Sequence, residues 1–171
     1  MPFPGCVPEL TDGVVRLRAH RPEDAERIVE QCNDTETMRW TTVPRPYGMD
    51  DAHAFLAKVE HDWGTPDGVR HWAVTDAADA EGRFLGTVDL RPRGGGAAET
   101  GFGLHPSGRG QGLMAGALRL ACRWWFAHGV CGSITSSAPR LARHTSRAAP
   151  AGSSGSGCDC GMVPWLSLIH I

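Results

Sequence analysis

A single tyrosine, Tyr47, and a single lysine, Lys58, stand against sixteen arginines in 171 residues. The first scarcity leaves one phenol in the whole sequence as a possible proton donor. The second, beside abundant Ala, Gly and Pro, reflects GC-rich coding and says little about function. No apolar run approaches the roughly 20 residues of a membrane span, and no basic segment followed by an apolar one opens the chain. Neither membrane nor secretion is therefore expected, and the expected compartment is the cytoplasm. The formal net charge of −2 advertises no nucleic acid and no anionic surface as partner. The six cysteines, at 6, 32, 122, 131, 158 and 160, follow no framework spacing, so buried or incidental thiols are expected rather than disulfides. Cys158-Asp-Cys160 is too short for zinc and has no partners at ligand spacing, so no metal is expected.

Against these absences stand clear periodicities. Residues 14–18 alternate apolar and polar as a half-buried strand does, and Arg21-Pro-Glu-Asp24 then opens a helix to about residue 33, with Ala25, Ile28, Val29 and Cys32 on one stripe. Pro44 and Pro46 break residues 41–47 into a loop, a candidate substrate wall. A second helix starts at 49–51 and carries Ala52, Phe55, Leu56 and Val59 on one face. Strands are predicted at 71–75, 83–90 and 98–104, and their short connections imply antiparallel neighbours. A helix from 112 to about 128 presents Leu113, Ala117, Leu118, Ala121, Trp124 and Trp125 to the sheet. The length suits one α+β domain with a single sizeable core: a mixed, mostly antiparallel sheet flanked by helices.

The most informative stretch is residues 101–120, where a strand runs through a glycine-rich turn into that last helix. Unpaired N–H groups and the helix dipole make such a start an anion site, and Gly108, Gly110 and Gly112 let the backbone approach a ligand. A nucleotide-hydrolase phosphate loop needs Gly-Lys followed by Ser or Thr, whereas Leu113 and Met114 follow Gly112. A dinucleotide fingerprint needs an acidic residue about 20 positions on, and residues 121–140 contain none. A tight turn that binds nothing stays open as the plain alternative.

Arg109-x-x-Gly112 resembles the acetyl-coenzyme A signature of the GNAT acetyltransferase superfamily, Gln/Arg-x-x-Gly-x-Gly/Ala, with Met114 departing from its last position. The order strand, two helices, three strands, glycine turn, helix is that of the GNAT fold across roughly residues 10–130. Residues 38–47 with Asp51-Ala52 look like the RimJ/RimL-type branch, which acetylates protein N-termini or small amines. The resemblance implies an N-acetyltransferase that moves acetyl from acetyl-coenzyme A to a primary amine by direct attack in a ternary complex. It assigns the backbone of Phe102, Gly103 and Leu104 to the pantetheine arm, and that of Arg109, Gly110, Gln111, Gly112 and Leu113 to the pyrophosphate. The Arg109 guanidinium adds a charge-assisted contact, and an N–H near Leu104 is a candidate oxyanion donor. Glu99 is the first candidate for the base, through a water relay, with an ordinary solvent-facing glutamate as the alternative. Asp89, His105 and His71 are weaker candidates. A second class of function, a non-catalytic acyl-coenzyme A binding or interaction module, keeps the cradle and lacks the base. The acceptor and the oligomeric state are not legible.

After residue 130 the resemblance stops. A fifth strand, an Asn-x-x-Ser or tyrosine near the thiol and two further strands are expected of the family and are not legible in 131–171. That segment has no Glu, Lys, Phe or Tyr, a single acidic residue in Asp159, and a Ser/Gly/Ala/Pro tract at 148–157. Its composition is the one expected of GC-rich DNA read out of frame, and residues 166–171 are what a sequencing adapter read as protein would give; a genuine disordered tail is the alternative. The expectation is an incomplete domain over 1–130, lacking its C-terminal strands, followed by a low-complexity tail over 131–171. Such a chain would be a poorly stable, nearly inactive fragment.

Overall fold

The structure is a computed structural model that describes residues 4–128 and 133–136. Strand β1 (Leu10–Thr11) turns back into β2 (Val15–Arg18), and the Asp12 carboxylate fixes the turn by accepting Val14 N–H at 3.0 Å and Val15 N–H at 2.9 Å. A 3-10 turn at Pro22–Asp24, started by the fixed φ of proline, leads into helix α1 (Ala25–Cys32), whose Ala25, Ile28 and Cys32 are buried. Helix α2 (Thr35–Trp40) follows with no buried residue, and α3 (Met49–Trp63) buries Ala52 and Val59. Strands β3 (Arg70–Asp76), β4 (Gly86–Pro92) and β5 (Ala98–Leu104) precede helix α4 (Leu113–Ala127) and strand β6 (Ile134–Ser136).

The six strands lie in sequence order, antiparallel throughout except that β5 and β6 are parallel. The exception follows from connectivity. Short links give the antiparallel pairs β1–β2, β3–β4 and β4–β5, the antiparallel pair β2–β3 is joined through α1, α2 and α3, and α4 carries the chain back along the sheet to deliver β6 in the direction of β5. Successive strand residues face opposite sides. Trp72 and Val74 of β3, with Val88 and Leu90 of β4, therefore join Leu113, Ala117, Leu118, Ala121, Trp124 and Trp125 of α4 in the larger apolar cluster, while Ala73 joins Ala25, Ile28, Tyr47, Ala52 and Phe84 in a smaller one. In the larger cluster Trp63, Trp72 and Trp124 pack edge to face with centroids 5.1 to 5.8 Å apart. Gly116 brings α4 close to the sheet, since a Cβ there would lie 2.7 Å from Val15 Cγ1.

Three differences from expectation have physical causes. The strand predicted from residue 83 joins the ladder only at Gly86, because Arg83 N–H is held by Asp79 Oδ2 at 3.0 Å and Phe84 is turned into the smaller cluster. Helix α2 went unread because six residues without a buried stripe show no periodicity. The absence of a fifth strand after residue 130 is corrected by β6, whose Ile134, Thr135 and Ser136 pair with Ala98, Glu99 and Thr100. Three residues with one apolar side chain are too short for alternation to reveal. The rest of the tail over 131–171, with Cys131, Cys158, Cys160 and residues 166–171, lies outside the described residues, while Cys6, Cys32 and Cys122 are free thiols.

Candidate active site

Between β5 and α4 the chain makes a 3-10 turn at Pro106–Gly108 and then passes through Arg109, Gly110, Gln111 and Gly112. Gly110 (φ +75°) and Gly112 (φ +73°) take left-handed conformations that side chains disfavour. A Cβ on either would meet nothing within 4 Å, so the backbone angle, and not space, demands glycine at both. Gly108 differs from the expectation that it clears a ligand's path. It is buried, and a Cβ there would press on Leu85 at 3.1 Å. As N-cap, Gly112 has no side chain to satisfy the first N–H groups of α4, which leaves donors and the positive end of the dipole facing out of the turn.

The edge of β5 leads to the same place. Gly101 N–H points toward β4, to Asp89 Oδ1 at 3.1 Å, and His105 N–H reaches Leu85 O at 2.9 Å. The alternate residues Phe102 and Leu104 therefore turn their backbone groups to the opposite edge. Among the described residues β6 pairs only with Ala98, Glu99 and Thr100, so β5 is paired on both sides up to Thr100 and on one side beyond it. Among the described residues an open strand edge thus runs from Phe102 toward the start of α4, whose N-cap has no side chain. Of the expected coenzyme contacts, Phe102 and Leu104 turn backbone groups to this edge and Arg109 to Leu113 follow it in the chain, whereas Gly103, opposite Thr87 in the ladder, turns its own toward β4.

Helix α1 holds the turn in place. The His105 Nδ1 accepts from Ser107 N–H at 3.2 Å and lies 3.1 Å from Arg27 Nη2, which leaves Nε2 to donate to Glu30 Oε2 at 2.9 Å. Arg27 also donates to Ser107 Oγ at 2.7 Å and to Phe84 O at 2.6 Å. His105 is 7% exposed and acts as a fastener between turn and helix. Arg109 is engaged as well: its Nη2 donates to Asp34 Oδ2 at 2.6 Å, Thr37 Oγ1 at 3.1 Å and Leu104 O at 3.3 Å.

The candidate bases are elsewhere and mostly occupied. Glu99 lies three residues, roughly 10 Å of strand, before Phe102, and Arg93 Nε donates to its Oε2 at 2.8 Å. Asp89 is buried, with Arg91 Nε 2.9 Å from its Oδ1. Gly101 is what admits that carboxylate, since a Cβ there would stand 2.7 Å from Asp89 Oδ2. His71, opposite Asp89 in the ladder, is buried with Nε2 3.3 Å from Asp62 Oδ2, and its Nδ1 has no partner among the described residues. Burial holds the His71 pKa below its ordinary value, against the pull of Asp89 and Asp62. Tyr47 is 8% exposed in the smaller cluster, where desolvation and the neighbouring Cys32 push its phenol up to about 12. Sequence reading missed Asp34, Asp62 and Arg93. Only Asp34 left a local signal, as an N-cap three residues before Thr37, whose N–H it accepts at 3.1 Å.

No curated protein matches the chain by sequence. Solved structures share its fold. An acetyltransferase of the GNAT family from Bacillus anthracis superposes with a TM-score of 0.57 at 16% identity, covering 71% of this chain and 68% of that one. A ribosomal-protein-S5-alanine acetyltransferase from Vibrio fischeri gives 0.58 at 17%, covering 71% and 69%. A spermidine N-acetyltransferase from Vibrio cholerae, solved with CoA and spermine, gives 0.54 at 23%, covering 68% and 66%. The chain spans about two thirds of the length of these neighbours. The family model described as acetyltransferase (GNAT) domain matches residues 15–150, a span that runs past residue 130 and takes in the glycine turn, α4 and β6. With this match over most of its length, the chain belongs to the GNAT acetyltransferase family.

Proposed function

We propose that the protein transfers an acetyl group from acetyl-coenzyme A to a primary amine, by direct attack within a ternary complex. The observation that carries this reading is the edge of β5, open among the described residues, running from Phe102 into the uncapped N-terminus of α4. That track offers backbone donors and acceptors for the amides of a pantetheine arm, then free N–H groups for a pyrophosphate. The backbone groups of Phe102 and Leu104, on either side of Gly103, would hold the arm, and Arg109, Gly110, Gln111, Gly112 and Leu113 the phosphates. Leu104 N–H would donate to the thioester oxygen as charge develops on it, a role supported by its turn toward the edge away from β4. We assign Glu99 as the base that takes the amine's proton through water, with Arg93 fixing its carboxylate.

A primary amine is the acceptor chemistry shared by the alanine-terminated ribosomal protein and the spermidine named for two structural neighbours. It supports a place beside the RimJ/RimL-type enzymes. The cytoplasm is the proposed compartment; no helix among the described residues is long and apolar enough to cross a membrane.

One observation favours a second reading, a non-catalytic acyl-coenzyme A module: the Glu99 carboxylate already has a cationic partner. Two variants separate the readings. Gly112→Val puts a β-branched residue at φ +73° and should abolish saturable acetyl-coenzyme A binding in calorimetry under both. Glu99→Gln should bind the coenzyme normally and lower turnover of an amine by about a hundredfold if Glu99 is the base. Unchanged turnover removes that assignment, and no coenzyme binding by the unaltered protein removes the acetyltransferase reading itself.

A further inference from the structure

Helix α2 buries none of its residues, so packing does not explain its place. Asp34 caps it, and the Asp34 carboxylate is in turn held by Arg109 from 75 residues further along the chain. Among the described residues a single nitrogen, Arg109 Nη2, makes every hydrogen bond of that guanidinium: to Asp34, Thr37 and the carbonyl of Leu104. Among the described residues Arg109 Nε and Nη1 have no partner, and the side chain is 27% exposed. The guanidinium fork is rigid and planar, so fixing one nitrogen orients the others. Here the fixed side is the start of α2 and the free side belongs to a residue of the glycine turn, one position before Gly110 and three before the N-cap of α4.

We propose that Asp34 is a positioning residue for the coenzyme: it immobilises Arg109 so that Nε and Nη1 are presented to a phosphate at the glycine turn, and it thereby links that phosphate to α2. The inference rests on the acetyltransferase reading above. An arginine without Asp34 would be free to sample its rotamers and would surrender that freedom on meeting the anion, which weakens binding. Linkage makes the effect reciprocal. If Asp34 improves the grip on the coenzyme, the coenzyme must steady Asp34 and the helix it caps by the same factor.

The test is a double-mutant cycle on the full chain, read as the dissociation constant for coenzyme A by calorimetry. Asparagine caps a helix as well as aspartate, so Asp34→Asn keeps the start of α2 and removes the ion pair. Arg109→Gln should weaken coenzyme A by about tenfold or more, as expected for a lost charge-assisted contact. Asp34→Asn should weaken it by about fivefold, and the double variant should match Arg109→Gln within about twofold. Equal losses from Asp34→Asn in both backgrounds, or no loss beside an intact Arg109, overturn the proposal and leave Asp34 as a cap alone. Amide exchange supplies a second readout that needs no Asp34 variant. Coenzyme A should slow exchange at residues 35–40 in the unaltered protein and not in Arg109→Gln. Binding without that slowing overturns the linkage while sparing the acetyltransferase reading; absence of any coenzyme binding overturns both.

Discussion

His20 and His71 flank Phe55, with ring centroids 5.5 and 5.8 Å from it and both imidazoles edge-on. His20 Nε2 lies 3.1 Å from Thr87 Oγ1, and Nδ1 of each ring is buried without a partner among the described residues. Enclosure, reinforced by the neighbouring His71, pushes His20 down to about 3, and burial lowers His71 as well. Between the ordinary histidine value of about 6.5 and that depressed one, the unfolded chain holds a proton that the folded chain refuses. Stability should therefore be full above pH 6.5 and fall as the pH drops below it. His20 alone should cost about 2 kcal/mol at pH 5 relative to pH 7. Asp12, Asp34 and Asp79, held low by backbone and Arg109 hydrogen bonds, lose their contributions only below the ordinary aspartate range and do not enter this window. Denaturant melts at the two pH values check the sign, and His20→Gln should flatten the difference. Equal stability at pH 7 and pH 5 would mean the ring is not enclosed.

At the scale of elements, legibility followed length. Residues 98–104 were read as a strand and form β5 with those bounds, and the six apolar residues assigned to one face of α4 are all buried. The elements that escaped are β1, α2 and β6, with two, six and three residues, too short for a period of 2 or 3.6 to repeat. Close approach between elements escaped too, since nothing local distinguishes a glycine that admits a neighbour from one that merely bends the chain. Gly116 is the case in point. Its Cβ position is 2.7 Å from Val15 Cγ1, and a bulkier residue must push α4 off β2. Gly116→Val should destabilise the protein by about 2 kcal/mol despite the better helix propensity of valine. A thermal melt unchanged by this substitution would show that α4 can shift without loss.

For the molecule as a whole, the proposed coenzyme track was readable because its parts are contiguous in sequence, from Phe102 to Leu113. What surrounds it was not, because those pairings span long stretches of chain. The ties from α1 and α2 to the turn, Glu30 to His105 and Asp34 to Arg109, each bridge 75 residues. A carboxylate such as Glu99 looks the same in sequence whether it faces solvent or is held by Arg93, and only the β4–β5 connection brings that arginine to it. Chemistry that depends on which group neutralises which is therefore decided by topology.

The three mutually edge-on indoles carry a last consequence. Trp63, Trp72 and Trp124 come from α3, β3 and α4, and no two of them share an element. Their electronic transitions are close enough to couple, and the three-way coupling survives only while those three elements stay docked. The chain thus carries an intrinsic optical signal of its assembled state, one that undocking of any single element would reduce to that of the remaining pair without a label being attached.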